Sequence, residues 1–90
     1  MNTCETYSTE VELTAAYLLA KGLKMVRLEI VPKEYYLDNS FHFPKEEAEA
    51  LLNSHDRMIN FIELKLEHDL LCGEARKARE RFRKEQGGNL

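Results

Sequence analysis

Leu23-Lys24-Met25-Val26-Arg27-Leu28-Glu29-Ile30-Val31-Pro32 is where the chain changes its hydrophobic period. Leu23, Met25, Val26, Leu28, Ile30 and Val31 alternate with Lys24, Arg27 and Glu29. Alternation rich in β-branched residues predicts a strand with one wet face, and Pro32, which has no amide to donate to a ladder, ends it. Just upstream the period is helical. Val11, Ala15, Leu18 and Leu19 recur at helical spacing within Glu10 to Gly22. Ser8 or Thr9 supplies a cap, Thr9 with Glu12 fits a capping box, and Gly22 supplies a left-handed stop. A helix of about three and a half turns is expected there.

Downstream, Ser40-Phe41-His42-Phe43 alternates again, separated from the first run by Pro32-Lys33-Glu34 and Asp38-Asn39. The simplest connection is an antiparallel hairpin, with Tyr35-Tyr36-Leu37 extending a strand or covering the turn. Phe41 and Phe43 share a strand face and are expected in the core. A two-stranded hairpin is marginal alone, so it must lie on helices. Pro44 reads as a first helical residue, followed by a helical run from Lys45 to Leu52 with three acidic groups, Glu46, Glu47 and Glu49, near the positive end of its dipole. Asn53-Ser54-His55-Asp56 reads as a break, with Ser54 or Asp56 capping a helix from Arg57.

In that last region Ile59, Ile62, Leu66 and Leu70 make one stripe, widened by Phe61, Leu64 and Leu71. Leu71, Ala75, Ala78 and Phe82 carry the spacing past Gly73, so one long helix is expected, or two joined at Gly73, ending before Gln86-Gly87-Gly88. The expected class is α+β: an N-terminal helix, an antiparallel β-hairpin and a C-terminal helical region. Residues 1–90 make one domain, with 87–90 a flexible tail.

At 90 residues, with 43% hydrophobic and 32% charged side chains, the chain holds one small core and has little room for an enclosed substrate chamber. Two cysteines, Cys4 and Cys72, cannot form a dense disulfide framework, and reduced thiols in a cytoplasm are the better reading. The polar start MNTCETYSTE has no leader pattern, and no apolar run approaches a membrane span.

Leu13-Thr14-Ala15-Ala16-Tyr17-Leu18-Leu19-Ala20-Lys21-Gly22, the hairpin ending in Phe41-His42-Phe43 and, more loosely, Gly73-Glu74-Ala75-Arg76 resemble a group of short bacterial and phage proteins catalogued only as a domain of unknown function. The resemblance covers the first half of the chain. It implies a phage or mobile-element origin in a bacterial host cell, and carries no active site with it.

Chemistry-bearing motifs are sparse. His68 and Cys72 stand four apart on a predicted helix, a spacing that sets two ligands on one face, with Glu63 or Glu67 able to lean toward the same ion. A closed zinc site needs four ligands, and His42, His55 and Cys4 offer no second spaced pair, so the expectation is an exposed histidine, a small apolar core cysteine and no metal or cofactor. Glu63 and Glu67 read as a solvated helix face. No Gly-x-Ser-x-Gly or phosphate-cradling loop occurs, His55 and Asp56 are adjacent and cannot form a triad, and no catalytic residue is expected.

Charge is divided along the chain. Residues 1–75 carry seven basic and fourteen acidic side chains, a net of −7, and residues 76–90 carry six and two, a net of +4. The basic cluster is Arg76, Lys77, Arg79, Arg81, Arg83 and Lys84, and with Tyr35 and Tyr36 in a connection it forms the expected partner-binding set. Ile59, Ile62, Leu66 and Leu70 form the expected interface between copies, because the stripe exceeds what a hairpin can cover. The expected function is a noncatalytic protein-interaction module that binds and modulates a host protein and self-associates. The alternative is a small nucleic-acid-binding regulator using the basic helix.

Overall fold

The computed structural model describes residues 5–54 and 58–86. The fold is α+β, with β1 (Thr6–Thr9), α1 (Glu12–Ala20), β2 (Arg27–Pro32), β3 (Leu37–Pro44), α2 (Lys45–Leu52) and α3 (Phe61–Glu85). The strands form one antiparallel sheet in the order β1-β3-β2, which puts β3 in the middle. The β2–β3 hairpin follows the alternation of its sequence from Arg27, with Leu28 opposite Phe41 and Pro32 opposite Leu37, while the expected first half, residues 23–26, precedes the strand. The Lys33 amide closes the turn by donating to the Tyr36 carbonyl at 2.8 Å.

β1 is an addition to the expected hairpin. Thr6-Tyr7-Ser8-Thr9 is too short to show a period, and pairing with β3 is what makes it a strand, with Tyr7 opposite Phe43 and Thr9 opposite Phe41. Because Thr9 belongs to that strand, it cannot cap α1. The helix starts at Glu12 after Val11, and the Thr9 hydroxyl accepts instead from the Val11 amide at 3.1 Å. α1 is therefore nine residues long and shorter than its sequence pattern suggests. Its end is as expected: Gly22 has φ of 102°. The Leu23 amide donates to the Leu18 carbonyl at 3.1 Å and the Gly22 amide to Leu19 at 2.9 Å, the paired bonds of a Schellman ending.

Pro44 is the last residue of β3 and stands just before α2, one position earlier than expected. His55, Asp56 and Arg57 lie outside the described residues, as do Cys4 and the expected tail at 87–90. α3 begins at Phe61, not Arg57, because its cap is Asn60: Asn60 Oδ1 accepts from the amides of Ile62 at 2.9 Å and Glu63 at 3.2 Å. Ile59 therefore precedes the helix and is half-buried. From Phe61 the helix runs unbroken through Gly73 for 25 residues, about 37 Å at 1.5 Å per residue.

Phe41 and Phe43 lie on one face of β3 and are fully buried with Ala15 and Leu18 of α1, Ala48 of α2, and Leu71 and Ala75 of α3. Three alanines in this cluster let helix backbones come close to the aromatic rings. On the other face of β3, His42 Nδ1 lies 3.0 Å from Thr6 Oγ1 and its Nε2 lies 2.9 Å from Glu29 Oε1, so one imidazole links all three strands.

Gly73 has open space where a Cβ would stand, and Gly22 occupies the left-handed region that an L side chain strains to adopt. In urea denaturation, Gly73→Ala is expected to raise the unfolding free energy by about 0.5–1 kcal/mol. Gly22→Ala is expected to lower it by about 1 kcal/mol.

Candidate functional site

The apolar residues of α3 divide into two stripes. Leu64, Leu71, Ala75, Ala78 and Phe82 are buried or half-buried on the side that meets the sheet and α1. Ile62, Leu66 and Leu70 are 69%, 57% and 65% exposed. At 3.6 residues per turn Leu66 stands about 160° around the helix from Leu64, so Leu64 cannot face Leu13 and Tyr17 of α1 without Leu66 turning away. Phe61 and Met58 extend the exposed apolar surface at the start of the helix. Of the four residues expected at an interface between copies, the structure thus groups Ile62, Leu66 and Leu70 on one outer face and sets Ile59 apart.

At the far end of α3 the fold joins two features that are distant in sequence. Tyr35 and Tyr36, exposed in the β2–β3 turn, line an open groove of about 410 Å³ with Lys33, Leu37, Phe82, Arg83 and Gln86. Lys33 also pairs with Glu10 at 3.4 Å. Arg83 and Lys84 sit in the last turn, where positive charge complements the carbonyl end of the helix. Arg76, Lys77, Arg81 and Lys84 are exposed at successive angles around the helix and define no single basic face. Arg79 is committed elsewhere: it is half-buried and donates to Asn39 Oδ1 on β3.

A third grouping forms between α1 and α3. Cys72 Sγ donates to Glu12 Oε1 at 3.5 Å and lies 3.8 Å from His68 Nε2, and the same Nε2 lies 4.0 Å from Glu12 Oε1. The three side chains are half-exposed. Burial pushes the Cys72 thiol above its ordinary pKa, helped by the charge and hydrogen bond of Glu12 and by Asp69, with Arg79 opposing. Cys72 is thus a hydrogen-bonded polar group at the helix interface, in place of the apolar core residue expected. Glu63 and Glu67, the acidic neighbours on α3, do not join this group. Glu12 does, and no sequence signal pointed to it, since it lies sixty residues from Cys72.

The chain matches no protein-family model, and the comparisons with curated proteins and with solved structures likewise find no match. Among the described residues, no helix is long and apolar enough to cross a membrane.

The Arg79 contact separates it from the rest of the basic cluster in a measurable way. Arg79→Ala leaves the 3%-exposed Asn39 without its donor. That loss is expected to cost about 1–3 kcal/mol of stability. Arg81→Ala, at an exposed position, is expected to stay within about 0.5 kcal/mol of the parent in the same denaturation assay.

Proposed function

We propose that the chain is a noncatalytic protein-interaction module that docks through the outer face of α3, and that a second copy of the chain is the first occupant of that face. The observation that supports this reading is the Ile62-Leu66-Leu70 stripe, three large apolar side chains four residues apart that the chain's own core leaves in water. A two-fold pairing presents the same stripe from both sides and needs no second kind of surface. The charge division favours it too, because the net +4 of residues 76–90 is attracted to the net −7 body of another copy. The resemblance of the N-terminal half to phage and bacterial proteins extends the reading to a host protein as a further partner, met in the bacterial cytoplasm.

Light scattering at micromolar concentration is expected to give a multiple of the 10.5 kDa chain mass. The double variant Ile62→Glu, Leu66→Glu is expected to return the mass of one chain with an unchanged circular dichroism spectrum, since both side chains are exposed in the single chain. A one-chain mass for the parent across the whole concentration range would remove self-association from the proposal.

A second reading, nucleic-acid binding, is favoured by the placement of Tyr35 and Tyr36 beside Arg83 and Lys33. Exposed aromatic faces next to cations suit stacked bases and their phosphates. On this reading a fluorescent single-stranded oligonucleotide binds at low salt with steep salt dependence. Tyr36→Ala is expected to weaken that binding by about 1–3 kcal/mol. Flat anisotropy at low salt would leave the groove without this role.

A further inference from the structure

Three metal-ligating side chains from two elements meet at one point on the α1–α3 boundary. His68 and Cys72 are one turn apart on the interior of α3, so both point from the same strip of a rigid helix. Glu12 comes from the first turn of α1. The hydrogen bond of Cys72 and the 4.0 Å approach of His68 Nε2 end on the same oxygen, Glu12 Oε1. The triangle they make has sides of 3.5 Å from sulfur to oxygen, 3.8 Å from sulfur to nitrogen and 4.0 Å from nitrogen to oxygen. A tetrahedral zinc ion with bond lengths near 2.0–2.3 Å separates such ligand atoms by about 3.3–3.6 Å. The sulfur–oxygen edge already fits, the sulfur–nitrogen edge must close by about 0.3 Å and the nitrogen–oxygen edge by about 0.7 Å, which half-exposed side chains reach by small rotations.

We propose that Glu12, His68 and Cys72 form a zinc-binding site, with Glu12 Oε1, His68 Nε2 and Cys72 Sγ as ligands and the fourth position left to water. The donor set selects the metal. A thiolate beside an imidazole suits a borderline-soft ion and is wrong for calcium or magnesium, which take oxygen ligands. Binding forms the zinc–sulfur bond as the Cys72 proton leaves to solvent, with no change of oxidation state. Thiolate and carboxylate together then balance the charge of the ion. The half-exposure of the three residues supplies an entry path and an open coordination position. The ion ties the start of α1 to the middle of α3, a role independent of what docks on the outer face of α3.

The test uses the full chain, zinc alone as the ligand, and competition against a chromophoric chelator. One zinc per chain is expected. Glu12→Gln, His68→Ala and Cys72→Ser are each expected to weaken binding by at least about a hundredfold, the upper end of what loss of an outer-shell partner costs. Cys4→Ser and His55→Ala are expected to change nothing. Cobalt in place of zinc is expected to give a thiolate charge-transfer band and the intense visible bands of a tetrahedral ion, a readout on the parent chain that depends on no variant folding. No stoichiometric binding at micromolar zinc, or binding that survives Cys72→Ser and His68→Ala, would overturn the proposal. Retention of full affinity in Glu12→Gln would overturn the link between α1 and α3.

Discussion

Phe41 and Phe43 project from the same face of β3, and because β3 is the middle strand, all three helices meet around them. Burying each ring is worth about 1.5–3 kcal/mol, a large share of what a chain of this size has in total. Ala15, Ala48 and Ala75 make room for the rings, and Leu18 and Leu71 close the space between. The strand on either side serves the same pair: Tyr7 of β1 stands opposite Phe43, and Leu28 of β2 opposite Phe41. Strand parity then sends His42 to the opposite face, where it bonds to Thr6 and Glu29.

The rotation of α3 about its own axis follows from this packing. Leu71 and Ala75 must face the rings, and the Arg79 bond to Asn39 holds the next turn against β3. Once those are set, every other position on the helix has a fixed direction. Ile62, Leu66 and Leu70 look outward, His68 and Cys72 look along the edge toward Glu12, and Phe82 with Arg83 reaches the tyrosines of the β2–β3 turn. One helix thus carries an apolar stripe and a polar cluster in different directions and a groove wall at its far end, and none of the three competes with another for side chains.

What could be read from the sequence is what is local. The alternation from Leu23 to Val31 marks β2 over its second half, though the strand begins at Arg27 and not at Leu23, Gly22 marks the end of α1, and the spacing of Phe41 and Phe43 places them together in the core. What escaped depends on distant partners. Thr6 to Thr9 becomes a strand only by pairing with β3, and that pairing moves the start of α1 from Thr9 to Val11 and Glu12. Asn60 does not stand out as a cap because the apolar spacing already fits from Ile59, and periodicity fixes a helix axis better than its ends. Periodicity also merges the two sides of α3, since Ile62, Leu64, Leu66, Leu70 and Leu71 are all apolar and only the packing against the sheet and α1 decides which are covered. Glu12 beside His68 and Cys72, and Arg79 on Asn39, are contacts between elements and left no trace in spacing.

The orientation of α3 is therefore the claim on which the rest stands, and methyl-to-aromatic nuclear Overhauser contacts in the isotopically labelled chain measure it most directly. Contacts from the Phe41 and Phe43 rings to the methyl groups of Leu18, Leu71 and Ala75, with none to Ile62, Leu66 or Leu70, are the predicted result. Ring contacts to Ile62, Leu66 or Leu70 in place of Leu71 and Ala75 would mean that α3 is turned about its axis, and would contradict both the core and the outer face described above.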